Sequence, residues 1–340
     1  MARSLAGLAL VLVALGAWLG LSAWNQSVVG EATVLEIQEG DTPLKVLGRF
    51  EKTTLDPYFL RLALRMGVPL KLRPGEFEIP AGLNWLQLID FLRRAKPKLY
   101  FLTHKEGHNL FDLHATFQST PFSMSLETWQ KLMKRQDWLS RMGVPSTGSG
   151  TLEGFLFPNT YAFQKVDKVE TVIESMLKEF EKQALPRLQS HPWAKDPGGL
   201  YRLLTLASIV EKESGHADEQ PRVAAVFWNR IKKKMRLQSD PTTIYGLLPN
   251  FDGNIRKRDL TTPTPYNTYT LRELPLGPIS NPGLSAIEAT LNPAQTDDLF
   301  FVADQEGRHV FSKTYAEHKK WVEEHQIKPA RTRRQSKGSR

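Results

Sequence analysis

The N-terminal segment is the longest apolar stretch of the chain. Residues 4–24 contain no charged side chain, Arg3 precedes them, and Glu31 is the first acidic residue that follows. A helix of this length spans the roughly 30 Å hydrocarbon layer of a bilayer. The stretch is longer than the apolar region of a typical signal peptide, and Leu21-Ser22-Ala23 is a poor cleavage sequence. Residues 1–30 are therefore predicted to be a cytoplasmic stub and a transmembrane signal anchor, with a cleaved signal peptide as the alternative.

Short strands and amphipathic helices alternate in the next segment, residues 31–97. The pattern predicts strands over 32–37 and 76–79, and helices after Thr42-Pro43, after Asp56-Pro57 and from Leu83 to Arg94. Thr42 is a favourable N-cap, and Pro43 stands where a missing N–H costs nothing. The strand–helix–helix–strand order resembles the LysM type of glycan-binding module, which holds N-acetylated sugars in a shallow groove. A small packing domain without a ligand is the alternative.

Apolar stripes at helical spacing dominate the larger remaining segment, residues 98–327. They predict helices over 169–188, over 200–214 and from Asp218 to Ile231. The last of these carries Asn229 and Arg230 on its polar side, where they would face a cleft. The overall expectation is an α+β protein: a single transmembrane helix, a small LysM-like subdomain, and a mixed α/β catalytic domain with long Pro-rich loops.

Seven of the 22 prolines lie between Asp240 and Gly283, among Gln, Asp, Asn, Thr and Tyr residues. Proline fixes the backbone and is excluded from central strands and helix interiors. Rigid loops with amide, carboxylate and tyrosine side chains are typical of a cleft for a polar ligand such as a sugar. The segment is therefore predicted to form the walls of a cleft, with a flexible linker as the weaker alternative.

Composition and charge exclude several classes of function. The chain has no cysteine, which rules out disulfides, thiolate metal sites and thiol catalysis. Its net charge is +9, of which the last 13 residues supply +6 and all others together +3. Residues 328–340 have the composition of a basic disordered tail, so the excess charge says little about the substrate. Nucleic-acid binding is not expected of a membrane-anchored chain of this kind.

Two glutamates end the helix predicted over 200–214. Glu211 and Glu213 point about 200° apart around the helix axis. Glu213 lies over Val210, Ile209 and Leu206, whereas the surface beneath Glu211 is smaller and more polar. Glu213 is therefore the better candidate for a carboxyl whose pKa burial raises into the range of a general acid. From the spacing alone, two solvated charges at a helix end remain the alternative.

Several motifs are spread over most of residues 31–325: Ala207-Ser208-Ile209-Val210-Glu211-Lys212-Glu213, Arg236-Leu237-Gln238-Ser239-Asp240-Pro241-Thr242, Tyr245-Gly246, Tyr266-Asn267-Thr268-Tyr269, Asn281-Pro282-Gly283 and Phe300-Phe301-Val302-Ala303-Asp304. Together these motifs resemble the family of YceG-like endolytic murein transglycosylases. Departures are few: Ser239 replaces a common Thr, Asn159 a common Asp, and Glu273 and Leu276 interrupt a common Gly-Leu-Pro-Pro-Gly.

The resemblance implies an enzyme, a lyase that cleaves the β-1,4 bond between N-acetylmuramic acid and N-acetylglucosamine within nascent peptidoglycan strands. It implies 1,6-anhydro-muramic acid ends, a role as terminase of glycan elongation, and Glu213 as the catalytic residue. Gln238, Asp240, Tyr245, Asn267 and Tyr269 would bind the substrate. No cofactor and no metal are implied.

The same resemblance implies the surroundings of the protein. The glycan strand is the expected partner, residues 4–24 would hold the chain in the cell inner membrane, and the catalytic domain would lie on the periplasmic side. Peptidoglycan synthases are further candidate partners.

Three other interpretations stay open from the residues alone. A hydrolase would use Asp240 or Glu211 to activate water and would leave free reducing ends. A membrane-anchored wall-binding or scaffold protein would use the glutamates only structurally. A metal site has little support, because the Glu213–His216 spacing occurs without the second such motif that a di-metal centre needs.

Overall fold

A computed structural model describes residues 25–50, 61, 65 and 70–328. The predicted membrane span over residues 4–24, the predicted helix that follows Asp56-Pro57 and all of the predicted tail but Lys328 lie outside the described residues. Within the described ranges, no helix is both long and apolar enough to cross a membrane.

The chain divides into two compact units, one of residues 1–101 and 162–168, and one of residues 102–161 and 169–340. The first unit extends slightly beyond the predicted segment 31–97 and takes in a short stretch from the middle of the chain. The mixed α+β composition predicted from the sequence is confirmed.

The first unit contains the predicted pair of strands. Strand β1 (Thr33–Ile37) pairs antiparallel with β2 (Gly75–Ile79), with Leu35 opposite Phe77. Between them lies helix α1 (Pro43–Leu47), whose first turn is capped by the Thr42 side chain as predicted. Helix α2 (Trp85–Arg94) follows and begins with a reciprocal capping box between Asn84 and Gln87. Both strands and both helices bury their apolar faces in one core.

The second unit is mainly helical. Strand β3 (Tyr100–His104) pairs with β4 (Asn159–Phe163), and only residues 102–104 and 159–161 of these strands belong to the second unit. The other helices and strands of this part of the chain follow. They are α3 (Leu110–Phe117), α4 (Leu126–Leu132), α5 (Gln136–Arg141), α6 (Val169–Gln183), α7 (Leu185–Ser190), α8 (Gly199–Glu213), α9 (Gln220–Lys232), α10 (Asp240–Leu247), α11 (Lys257–Thr261), α12 (Leu284–Leu291), the antiparallel strands β5 (Phe300–Ala303) and β6 (His309–Ser312), and α13 (Tyr315–Val322).

Helix α8 is the centre of this unit. It packs against α9 and α12, and every residue from Leu203 to Val210 is buried. The shared core includes Leu206, Ile209 and Val210 of α8, Phe227 of α9 and Ala286 of α12. Because the core residues of α8 continue to Val210, the glutamates that follow are held at its C-terminal end by a rigid, fully packed helix.

Two predictions about secondary structure were wrong in part. The helix expected over 169–188 is two helices, because Pro186 has no N–H to continue the hydrogen bonds of α6 and lies instead in the first turn of α7. The Pro-rich segment is not only loop. Pro241 stands in the first turn of α10, where proline is tolerated, so its presence marks a helix start and not a break.

Candidate active site

Glu213 is the last residue of α8, and its carboxyl is the central ionisable group of the candidate site. Burial raises the pKa of this carboxyl to about 7. The Ser239 hydroxyl and the Arg230 guanidinium lower this pKa, whereas the Asp240 carboxyl raises it further. A pKa near 7 leaves the carboxyl protonated in about half of the molecules at neutral pH, as a general acid requires.

Ser239 interacts with this carboxyl, and Gln238 precedes it in a segment with unusual backbone geometry. Gln238 has φ +52°, in the left-handed region that residues other than glycine rarely adopt. The segment is held by Thr268, whose carbonyl accepts from Gln238 N at 3.3 Å and whose hydroxyl accepts from Ser239 N at 2.9 Å. The strained turn leaves the Gln238 side chain exposed and buries the Ser239 side chain. Among the described residues the buried Ser239 hydroxyl has no hydrogen-bond partner at ordinary distance, and it is close enough to the Glu213 carboxyl to lower its pKa.

Asp240 and Tyr269 form a pair at the same site. The Tyr269 hydroxyl donates a 2.6 Å hydrogen bond to Oδ1 of Asp240. Burial raises the pKa of Tyr269 far above neutrality, and the Asp240 and Glu213 carboxyls add to this. The phenol is therefore a fixed donor, and the second oxygen of Asp240 stays free to bind a ligand hydroxyl or amide.

Arg230, on α9, is a buried cation that acts on Glu213. Its Nε donates to the Leu299 carbonyl at 2.7 Å, its Nη1 donates to the Leu237 carbonyl, and its guanidinium lies 5.3 Å from the centre of the Phe300 ring. Burial lowers its pKa while the Glu213 carboxyl raises it, although an arginine remains charged at any physiological pH. The sequence suggested that Asn229 would also face the cleft, but its amide binds the carbonyls of Thr296 and Asp298.

Tyr245 and Asn267 are not brought to Glu213 by any contact of their side chains. Tyr245 donates from its hydroxyl to Oε2 of Glu153 at 2.9 Å. Asn267 is fully buried, and its Nδ2 donates to the carbonyls of Asp259, Leu260 and Thr262, while its Oδ1 accepts from the Thr243 hydroxyl and from Tyr269 N. All donors and acceptors of the Asn267 amide are thus used to hold the loops around the site.

A buried network around Glu153 was not singled out from the sequence as chemistry. Its Oε2 accepts from Leu110 N and the Tyr245 hydroxyl, and its Oε1 accepts from Nδ2 of Asn281 at 3.1 Å. Burial raises the pKa of Glu153 to about 8, against the lowering effect of the Leu110 and Tyr245 hydrogen bonds. Asn281 also accepts at Oδ1 from the N–H groups of Gly154 and Leu156. The network joins four segments that are distant in the sequence and fixes the loop that carries Asn281.

Glu211 has a related structural role at the other side of α8. Its Oε2 accepts from Gly283 N at 3.0 Å. Burial raises its pKa too, with the Gly283 hydrogen bond opposing the shift and Glu106 adding to it. The comparison of the two helix faces did not predict this burial. Glu211 binds the loop that follows Asn281, whereas no backbone N–H of the described residues donates to the Glu213 carboxyl.

A family model places this geometry among known proteins. The model of the YceG-like family matches residues 35–324. The chain belongs to the YceG-like family. The match spans both units, including all the residues around Glu213.

Known members and relatives agree with this assignment. The chain is 40% identical over 175 residues to the endolytic murein transglycosylase of Bacillus subtilis, which covers 51% of this chain and 48% of that protein. It is 30% identical over 283 residues to the protein of the same name from Streptococcus pneumoniae strain D39, covering 75% and 51%. The chain therefore spans about half the length of the curated relatives it matches. A crystal structure of a yceG-like protein from Listeria monocytogenes matches with a TM-score of 0.58 and 28% identity over 86% of this chain and 99% of that one.

The site of this YceG-like chain offers acid–base chemistry. Across residues 25–50 and 70–328, no group of three or more His, Asp or Glu side chains is arranged to hold a metal ion. What the site brings together is one carboxyl with a pKa near 7, a buried hydroxyl, a buried guanidinium and an exposed carboxylate–phenol pair.

Proposed function

We propose that this protein is an endolytic lytic transglycosylase that cleaves the β-1,4 bond between N-acetylmuramic acid and N-acetylglucosamine within peptidoglycan strands. The observation that carries the proposal is the Glu213 carboxyl, raised by burial to a pKa of about 7 at the end of a rigid helix. The names of the relatives from Bacillus subtilis and Streptococcus pneumoniae support the substrate class.

In the first step, protonated Glu213 gives its proton to the glycosidic oxygen as the bond to the anomeric carbon breaks. The N-acetylglucosamine unit leaves as an alcohol, and positive charge develops on the muramic acid ring. The newly formed Glu213 carboxylate stabilises this charge. Asp240 adds a second negative group within electrostatic reach of Glu213.

In the second step, the Glu213 carboxylate accepts the proton of the C6 hydroxyl as that oxygen bonds to the anomeric carbon. The product is a 1,6-anhydro-muramic acid end, Glu213 is protonated again, and no water is consumed. One carboxyl is sufficient for both steps because no water has to be activated on the opposite face of the sugar. Gln238, Asp240 and Tyr269 would bind sugar hydroxyl and acetamido groups.

Mass spectrometry of the products tests this mechanism. The full chain in detergent, acting on uncrosslinked peptidoglycan strands, is expected to produce shorter strands with anhydro ends. Glu213→Gln, which keeps the shape but cannot transfer a proton, is expected to lower the rate by about 10²–10⁴-fold. Free reducing ends would instead show a hydrolase, and unchanged cleavage by Glu213→Gln would remove Glu213 from the mechanism.

The remaining parts of the proposal concern the place of the enzyme in the cell. Residues 4–24 would anchor it in the inner membrane with the catalytic unit in the periplasm, where it would terminate glycan elongation beside peptidoglycan synthases. In the first unit, the antiparallel pair β1–β2 with α1 between its strands supports a LysM-like glycan-binding role. Protease protection in spheroplasts and whole cells tests the topology.

A further inference from the structure

A cavity of about 840 Å³ lies in the second unit, and none of the residues of the proposed mechanism lines it. Its walls come from the N-terminal half of α8, the C-terminal end of α9 and the loop over residues 272–276. Tyr201, Thr205 and Leu237 form a buried floor. The volume is that of a site for a peptide or a small organic ligand.

The charged side chains of this cavity are mostly positive. Three of the lining residues are cations, Arg202, Lys234 and Arg272, and one is an acid, Glu273. Arg202 lies 5.1 Å from the Trp193 ring centre and 3.6 Å from an oxygen of Asp196. In the described part of the chain, neither Lys234 nor Arg272 forms an ion pair or a side-chain hydrogen bond, and both are exposed. Two cations are thus available to a ligand.

The backbone at Lys234 also favours a role in binding. Lys234 has φ +57°, directly after α9, where a left-handed residue is usually glycine. Its N–H donates to the Ile231 carbonyl, and Met235 N donates to the Arg230 carbonyl at 2.8 Å, which closes the helix end. Glycine would fit this position without strain, so a lysine here costs some stability.

Two segments of the chain connect the lining of the cavity with residues of the proposed active site. Leu237 lines it and is followed directly by Gln238. Thr205 lines it as well, and it precedes Glu213 by eight residues on α8, a rise of about 12 Å. A group held at Thr205 would lie about 12 Å along α8 from Glu213, a separation compatible with a sugar next to the bond cleaved there.

We propose that this cavity binds the carboxylate-bearing peptide stem of a muramic acid adjacent to the cleaved bond, an inference that rests on the proposed function. Such stems carry free carboxylates on a short peptide, which the Arg272 guanidinium can bind in a bidentate manner and the Lys234 ammonium as a point charge. The floor of Tyr201 and Leu237 accepts the apolar part of the stem. The enzyme thereby distinguishes strands that carry stems from strands that have lost them.

Kinetics on two substrates tests the proposal. Peptidoglycan strands with intact stems are compared with strands from which an amidase has removed the stems. The double variant Lys234→Gln with Arg272→Gln is expected to raise KM about tenfold or more for stem-bearing strands, with kcat retained, and to leave KM for stripped strands unchanged. Lys232→Gln, an exposed lysine of the same helix that does not line the cavity, is the matched control and is expected to behave like the parent chain. Equal effects on both substrates, or no effect, would overturn the proposal.

A binding measurement keeps this inference separate from the proposed reaction. Isolated stem peptide is titrated into the Glu213→Gln chain by calorimetry, with and without the double substitution, and inorganic phosphate is titrated in parallel. Saturable peptide binding that the double variant loses supports the cavity, even if the parent chain failed to cleave strands. Cleavage by the parent chain without peptide binding contradicts the cavity alone, and binding of phosphate in preference to the peptide contradicts the ligand.

Discussion

The Tyr269 hydroxyl donates a 2.6 Å hydrogen bond to Asp240, and this pair acts electrostatically on the Glu213 carboxyl. The negative charge of Asp240 helps to keep the pKa of Glu213 near 7, while the phenol fixes where that charge lies. The relationship makes the pH dependence of the reaction a direct report on the site, because a general acid loses activity as the pH rises through its pKa.

Asp240→Asn is expected to lower the pKa of Glu213, because it removes a negative charge beside the carboxyl. The loss of kcat/KM at alkaline pH should then begin about half a pH unit to one unit lower than in the parent chain. The measurement is kcat/KM for strand cleavage from pH 5 to 9. Tyr269→Phe keeps the negative charge of Asp240 and is the matched control, so the alkaline limb of its kcat/KM profile should move less. An alkaline limb that does not move in Asp240→Asn would contradict the electrostatic role of Asp240.

Glu153→Gln is expected to change how stability depends on pH. The folded-state pKa of Glu153 is about 8, above the ordinary value of 4.5, so the protonated form is favoured in the folded protein. The stabilisation from this group is complete below pH 4.5 and is lost as the pH rises through 8, by up to about 5 kcal/mol at 1.36 kcal/mol per pKa unit. Glu153→Gln should flatten the pH dependence of the free energy of unfolding between pH 5 and 9.

Urea unfolding at several pH values in that range measures the effect. The exposed Glu306, replaced by Gln, is the control and should leave the slope unchanged. Tyr245→Phe removes a donor that lowers the pKa of Glu153, so it should shift the loss of stability to higher pH. A Glu153→Gln chain with the slope of the parent would show that folding does not raise the pKa of this carboxyl above its ordinary value.

Much of the fold was predictable because its signals are local. Thr42-Pro43 predicted the start of α1, and the stripe from Leu203 to Val210 predicted α8 to within one residue at each end. The break between α6 and α7 has a local sign, Pro186, but the apolar pattern continues on both sides of it and outweighed the proline in the prediction. Pro241 was misjudged because it was grouped with the six prolines that follow it in the same segment, although it lies in the first turn of a helix.

In the candidate site, too, the features that depend on nearby residues were predictable and those that depend on distant residues were not. The raised pKa of Glu213 was predictable because the residues beneath it are three, four and seven positions back on its own helix. The partners of Tyr245 and Asn281 were not, because Glu153 is 92 and 128 residues away from them. Such contacts depend on tertiary packing, which one sequence does not reveal. Whether Tyr245 and Asn267 also bind sugar stays a prediction.

Asn267→Ala tests whether this side chain holds the loops of the site. The substitution would leave three carbonyls and two donors without their partners in a buried place. We expect a loss of about 2–4 kcal/mol in the free energy of unfolding, since each unmet buried group costs about 1–3 kcal/mol and the structure partly relaxes. Thermal and urea unfolding measure it, with the exposed Asn250→Ala as the matched control. A stable variant with a raised KM would instead assign Asn267 to substrate binding.

Replacing Arg230 is expected to shift the pKa of Glu213 in the direction opposite to the shift from replacing Asp240. Its guanidinium lowers the pKa of Glu213, so Arg230→Met, which keeps the apolar length of the side chain, should move the alkaline limb of kcat/KM to higher pH. The same variant loses the hydrogen bonds to the Leu299 and Leu237 carbonyls and should unfold at lower urea concentration. Arg230→Lys retains a positive charge and should keep the limb nearer to that of the parent chain while losing part of the stability.

Because stability and the alkaline limb are measured separately, a general loss of folding cannot imitate the expected shift. If Arg230→Met and Asp240→Asn moved the limb in the same direction, Glu213 would not be the group that titrates.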